Sequence, residues 1–321
     1  MSRLHHPAGA LAVGDELVSL TPEVAGWVHS GLRVLVLAPG IEASVSLVGV
    51  EAVVLPLSAV DVDVHVDGES FTLTGRRTVF ERVSDFVYCP RDAVVTLVAS
   101  GGGEVAVATA VCERRLVARY GPAAGVPVET RGAGPATRQV TNFLSPETWP
   151  DADKLMCVEL LTPDGNWSSY PPHRHDESPE CPVNNEEIYY FRIGVAGSTG
   201  YSADGFGMHR TYTPDGEIDE NVVVRDGDVF CVPRGYHGPC IAAPGYPMYY
   251  LNVLAGPGGE RSMAFCDDPA HRWVRDTWAD MPIDVRCPMT NADGPVPPTQ
   301  AGATQTGDTP AGGAVQAGGD R

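Results

Sequence analysis

The sequence is short of positive charge: 22 Lys plus Arg stand against 41 Asp plus Glu, a formal net charge of −19. A surface of that sign repels a phosphate backbone and an anionic bilayer, which argues against nucleic acid and membrane as partners. It leaves room for a small anionic substrate held by local arginines or a metal. No C-x-x-C pair occurs among the eight cysteines, Cys89, Cys112, Cys157, Cys181, Cys231, Cys240, Cys266 and Cys287. Neither a disulfide framework nor a cysteine-rich zinc site is therefore expected, and the thiols read as mostly buried and free in a reducing cytoplasm. No uninterrupted apolar run reaches the ~18 residues a spanning helix needs. The N-terminal MSRLHHPAGALAVGDELV lacks the basic-then-apolar order of a signal peptide. Helix signals are scarce as well; only the stretch from Asp267 through His271, Trp273 and Trp278 suggests a short C-terminal helix.

What is abundant is short Val-rich runs punctuated by Gly, Pro and Asp. In the first half these are Leu32 to Leu37, Ala52 to Leu57, Val62 to Val66, Phe71 to Leu73, Phe86 to Cys89, Ala93 to Ala99 and Val105 to Val111. Strands at a spacing of roughly ten residues indicate a sandwich or barrel. A second set follows: Lys154 to Leu161, Glu187 to Ile193, Gly205 to Tyr212, Asn221 to Val224, Asp228 to Val232 and Met248 to Leu254. The chain thus divides into an N-terminal β-domain (1–120), a Gly- and Pro-rich connector (121–150), a C-terminal β-domain (151–292) and a tail (293–321) too poor in apolar residues to bury a core.

Chemistry concentrates in the second half. Residues two apart in a strand point the same way, so His173 and His175 can face one interior point. His237 follows in Pro233-Arg-Gly-Tyr-His237. Three carboxylates compete to complete the set. Glu180 sits between Pro179 and Pro182, whereas Glu187 opens the apolar run Glu187-Ile-Tyr-Tyr-Phe, and period-two alternation turns Glu186 away if Glu187 points inward. His/His/Glu/His suits one divalent metal, zinc first, with manganese or iron as alternatives. The lone histidines His5, His6, His29 and His65 read as ordinary surface or core residues. Trp167, Tyr189, Tyr190 and Phe191 are candidates to wall the pocket, and Asp176 or Glu177 to support a ligand.

The layout resembles the cupin superfamily: Gly227, five residues, then Pro233-Arg234-Gly235 fits its second motif, with His237 one residue early, and Gly194 follows Glu187 after six residues. Longer segments narrow this. Gly165-Asn-Trp-Ser-Ser-Tyr-Pro-Pro-His-Arg-His-Asp-Glu177, Glu186-Glu-Ile-Tyr-Tyr-Phe191, Val232-Pro-Arg-Gly-Tyr-His237, Ala243-Pro-Gly-Tyr-Pro-Met-Tyr-Tyr-Leu-Asn-Val253 and, in the first half, Gly75-Arg76-Arg-Thr-Val-Phe80 are similar to the 5-deoxy-glucuronate isomerases of bacterial inositol catabolism. That family is related to the 5-keto-4-deoxyuronate isomerases. The resemblance implies an all-β fold of two tandem cupin (double-stranded β-helix, jelly-roll) barrels with few short helices. It also implies metal ligands His173, His175, Glu187 and His237 in the second barrel and no metal site in the first. It implies an aldose–ketose isomerase acting on a small anionic sugar acid, in a cytoplasmic homodimer. An isomerase of the 5-keto-4-deoxyuronate type and an iron-dependent cupin oxygenase are the alternatives. For the rest of the pocket, strand position nominates Tyr189, Tyr212 and Tyr250 for proton transfer, and Arg192, Arg210, Arg234 and Asn252 for substrate contact.

Overall fold

In the computed structural model residues 4–178 and 181–298 are described. Glu180, and the part of the expected tail (293–321) from residue 299 onward, lie outside them, whereas Gly294–Pro295 forms a strand paired with Thr290–Asn291. The chain is all-β, and its described residues hold one four-residue helix, Pro22–Ala25, and three 3-10 segments, the longest being Arg272–Asp280.

Four sheets stack as layers. A four-stranded sheet (Ala43–Ser46, Val94–Ala99, Val60–Val66, Glu69–Gly75) lies outermost on one side. Next comes a six-stranded sheet in the order Arg119–Gly121, Phe86–Cys89, Val50–Pro56, Gly103–Val111, Ser30–Leu37 and Glu16–Leu20. The third is seven-stranded: His5–His6, Val229–Val232, Glu186–Ile193, Met248–Ala255, Met156–Thr162, Arg138–Leu144 and Val128–Arg131. The outermost sheet on the other side runs Asp219–Val224, Gly207–Tyr212, Tyr236–Ala242, His173–Arg174 and Cys266–Asp267, and Trp167–Ser168 also pairs with Tyr236–Ala242. The strand positions read from the sequence hold to within a few residues. The stretch 121–150 contributes Val128–Arg131 and Arg138–Leu144 to the third sheet, and the N-terminal His5–His6 joins that sheet too.

Three apolar cores separate the layers, and side-chain alternation explains them. In the outer strand Val60–Val66, Val62, Val64 and Val66 are buried while Asp61, Asp63 and His65 are exposed. The two inner sheets are covered on both faces, so their strands read as near-continuous apolar runs. Along Glu186–Ile193, Tyr189, Phe191 and Ile193 enter the core of the second sandwich, while Ile188 and Tyr190 enter the core between the two halves. Tyr190 therefore does not wall the pocket.

Two buried carboxylates clamp the halves together. Glu186 accepts hydrogen bonds from the backbone N–H groups of Val28, His29 and Ser30, at 2.8, 2.8 and 2.9 Å. Reciprocally, Glu51 of the first half accepts from the N–H groups of Asp153, Lys154 and Leu155 at 2.8, 2.5 and 2.7 Å, and from the Tyr88 hydroxyl at 2.5 Å. A charged acceptor serving several buried donors is worth more than neutral pairs, and its loss leaves each donor unsatisfied. Glu186→Ala is expected to lower unfolding free energy by about 3 kcal/mol in urea titration followed by circular dichroism, with the divalent metal content of the purified protein unchanged.

Candidate metal centre

The second sandwich gathers three histidines and one carboxylate on facing sheets. His173 is the cross-strand partner of His237, so their rings project side by side with centroids 4.4 Å apart. The chain then turns back, and the N–H of Asn185 donates to the His175 carbonyl at 3.0 Å, which seats His175 beside the start of Glu186–Ile193. Glu187 enters from that opposing strand. Its Oε2 lies 2.9 Å from His175 Nε2 and 3.0 Å from His237 Nε2. Donor atoms of His175, Glu187 and His237 all fall within 4.8 Å of one another, and all three residues are buried. Among the described residues this is the one such group.

The imidazole tautomers fit a metal. Each ring directs Nδ1 at a backbone carbonyl, which only accepts: His173 to Pro171 at 3.3 Å, His175 to Asn185 at 2.9 Å and His237 to Gly235 at 3.3 Å. With Nδ1 as donor, the Nε2 atoms are left over, and those of His175 and His237 converge on Glu187, while His173 adjoins the group through its ring contact with His237 and its own donor atom lies outside the 4.8 Å set. Backbone carbonyls of this kind fix the tautomer and orientation of ligating histidines. His237 Nε2 is buried and has no hydrogen-bond partner despite its closeness to Glu187. An orphaned buried nitrogen aimed at a buried carboxylate is what a divalent cation would satisfy. Asp176 supports the set at one remove. Its Oδ2 accepts from the N–H of Gly235 at 3.0 Å, the residue whose carbonyl takes the His237 proton.

Electrostatics follow from burial. Desolvation would raise the Glu187 carboxyl, but His237 and His175 outweigh it and hold the group well below the usual carboxylate range. Burial works to lower His175, and the hydrogen bond and charge of Glu187 reverse that and leave its imidazole raised. His173 is pushed well below the usual imidazole value by burial and by His237.

A hydroxyl network lies next to the group. Ser169 Oγ is 3.2 Å from the Tyr189 hydroxyl and 3.0 Å from that of Tyr250, and the Tyr189 ring sits 6.1 Å from His237. Gly238 makes this approach feasible. It adopts φ +98°, and a Cβ there would lie 1.7 Å from the Ser169 carbonyl. Asn252, the cross-strand partner of Tyr189, is buried with its side-chain Nδ2 unpartnered. His209, deeper in the barrel, bonds Cys240 Sγ at 3.0 Å and Thr211 Oγ1 at 2.9 Å. Burial first, then His237, pushes it down to about 3, so it stays neutral.

The strand faces sort the sequence candidates. Tyr189, Tyr250 and Asn252 lie on the inner face with Glu187. In Gly207–Tyr212 the buried residues are Gly207, His209 and Thr211, so Arg210 and Tyr212 face outward. There Arg210 stacks on Tyr212 and reaches Asp219 at 3.4 Å, and the Tyr212 hydroxyl donates to Asp268. Arg234 is a surface residue paired with Asp215 and Glu217. Arg192 shares the interdomain face with Glu186, bound to Asp226 and Glu104 and stacked 3.7 Å over Tyr201. None of these arginines reaches the histidine group. Ser169 and His209 escaped the sequence reading because neither belongs to a recurring pattern, although His209 alternates with Arg210 and its inward turn follows from choosing the other parity. His65, in the first half, is exposed and bonds Ser70 Oγ at 2.8 Å.

Comparison with known proteins agrees on fold and family. The KduI/IolB family signature matches residues 4–274. A curated 5-deoxy-glucuronate isomerase from Geobacillus kaustophilus is 42% identical over 281 residues, 86% of this chain and 97% of that protein. The crystal structure of an IolB-like protein from Salmonella typhimurium LT2 superposes with a TM-score of 0.76 at 31% identity, covering 84% of this chain and 98% of that one. Bacillus subtilis oxalate decarboxylase, in a structure whose title names its Mn(II) centres, gives a TM-score of 0.56 at 11% identity over 83% of this chain and 80% of that chain, a likeness of fold alone.

Removing one ligand is expected to empty the site without unfolding the barrel, because the apolar cores surround it independently. Elemental analysis should find His175→Ala depleted of divalent metal, with a far-ultraviolet circular dichroism spectrum like that of the intact protein. Asp176→Ala should keep the metal but bind it about 10-fold more weakly in chelator competition.

Proposed function

The chain belongs to the KduI/IolB family, and on that premise we propose that it isomerises 5-deoxy-D-glucuronate to 5-dehydro-2-deoxy-D-gluconate, with a divalent metal held by His173, His175, Glu187 and His237. The observation that carries the metal assignment is the orphaned His237 Nε2 facing the buried Glu187 carboxylate, with all three rings committed through Nδ1 to backbone carbonyls. The donor set admits zinc, manganese or iron, zinc first. A divalent cation held there would polarise a carbonyl and hold the neighbouring hydroxyl oxygen.

The reaction conserves composition. The hydrogen on C2 moves to C1, the O2 proton moves to O1, and the carbonyl passes from C1 to C2. The protein's own part is to orient these two carbons and keep bulk water from them. Tyr189, Phe191, Phe230 and Tyr250 form the buried wall behind the ligands. Ser169, Tyr189 and Tyr250 share hydrogen bonds, so their hydroxyl protons can rotate toward a sugar oxygen without a charge being created in the barrel. The unpartnered Nδ2 of Asn252 is a donor awaiting an acceptor, a role a substrate hydroxyl or carbonyl oxygen fills. The eight free thiols suit a reducing cytoplasm, and a homodimer is the proposed assembly. In the described residues no helix is long and apolar enough to cross a membrane.

Purified protein mixed with 5-deoxy-glucuronate should form the ketose in a ¹H NMR time course without consuming oxygen. An absence of product after metal reconstitution would reject the isomerase, and oxygen uptake would point to an oxygenase. Asn252→Ala should lower kcat/KM by about 10-fold or more, reflecting one lost hydrogen bond to the substrate, with metal content retained.

A further inference from the structure

A buried arginine without a carboxylate is expensive to maintain, and one exists at the rim of this barrel. Of the arginines with little exposure, Arg76 pairs with Glu159, and Arg192 with Glu104 and Asp226. Arg138 is 7% exposed and no acid among the described residues pairs with it. Its Nε has no hydrogen-bond partner, and Nη1 reaches only the Ala136 carbonyl, at 3.4 Å. In a chain carrying 41 acidic residues this is a specific omission, because a desolvated guanidinium without an anion is strongly unfavourable. Burial pushes Arg138 down to about 10; Tyr250 acts in the opposite sense, while Arg131 and Arg275 add to the lowering.

Position ties this group to the histidines. Arg138 lies at the start of Arg138–Leu144, on the same face as Val140, which packs in the core of the second sandwich. The 3-10 segment Arg272–Asp280 crosses from one sheet to the other at this edge. Trp278 stacks on the Arg138 guanidinium at 5.8 Å and on that of Arg275 at 5.2 Å. Arg275 makes a bidentate pair with Asp267, the cross-strand neighbour of His173, and lies 5.3 Å over Phe265, whose ring is 4.8 Å from His173. A continuous series of ring contacts thus runs from a proposed metal ligand to the unpaired guanidinium. Arg275 and Arg131 already hold Asp267 and Glu129, which leaves Arg138 to take an incoming anion.

We propose that Arg138 binds the carboxylate of the sugar-acid substrate, anchoring the end of the molecule remote from the reacting carbons. The inference rests on the sugar-acid reading above and adds a residue that neither motif nor strand-end position singles out. A carboxylate meets the planar guanidinium through two parallel hydrogen bonds, which Lys reproduces only in part. It also discharges the isolated positive charge, so uronates are selected over neutral sugars of the same size.

The test is isothermal titration calorimetry of the metal-loaded protein with D-glucuronate and with neutral D-glucose. Wild type should prefer the uronate, Arg138→Met should weaken it by about 100-fold without affecting glucose, and Arg138→Lys should recover part of the loss. Unchanged circular dichroism and metal content establish that the variants are folded and loaded. Equal uronate affinity in wild type and Arg138→Met would overturn the proposal, as would a loss extending equally to glucose or a wild type without preference for the uronate. If wild type binds glucuronate through Arg138 but fails to convert 5-deoxy-glucuronate, the isomerase reading falls and the carboxylate site stands.

Discussion

A carboxylate taken out of water must be met by positive charge or by donors, and in this molecule the buried Glu187 organises the second barrel around that requirement. Its charge faces three imidazoles whose other nitrogens are already committed to the backbone. Without a metal, a proton on His175 partly meets the demand, in agreement with the raised His175 and lowered Glu187. The same geometry suits a divalent cation better, since it also satisfies His237 Nε2. Metal uptake at such a site displaces the proton, so affinity falls as acidity rises.

Adjacent glutamates on one strand divide the labour. Because side chains alternate, Glu187 faces the histidines while Glu186 faces the first half and gathers three backbone N–H groups there. The strand that presents Glu187 is thereby bolted to the N-terminal sheets, and Glu51 returns the clamp on residues 153–155. A role for the first half follows from this. It covers the face of the Glu187 sheet that points away from the histidines, so both faces of that sheet are packed against apolar cores.

Much of this was legible in the residues. The alternation of Val62, Val64 and Val66 with charged neighbours marks a half-exposed strand, and the run Val50–Pro56 marks one buried on both faces. His-x-His and the later His237 pointed to the buried histidine–glutamate group, and the parity of Glu186 and Glu187 separated the two carboxylates. The arginines were read less well. Arg192, Arg210 and Arg234 flank the ligand strands in sequence, yet period-two alternation or nearby acids turn each of them elsewhere. Arg138 sits in the stretch that composition marks as a connector, and its isolation depends on which acids are absent in three dimensions. Ser169 is likewise fixed by a close backbone approach at Gly238 that no local pattern encodes.

The central claim is that one divalent metal sits among His173, His175, Glu187 and His237. X-ray absorption spectroscopy at the metal edge of the purified protein tests it most directly. The account predicts a first shell of nitrogen and oxygen at about 2.0–2.2 Å with the outer-shell scattering of three imidazoles. A sulfur shell from any of the eight cysteines, or an oxygen-only shell without imidazole scattering, would contradict it.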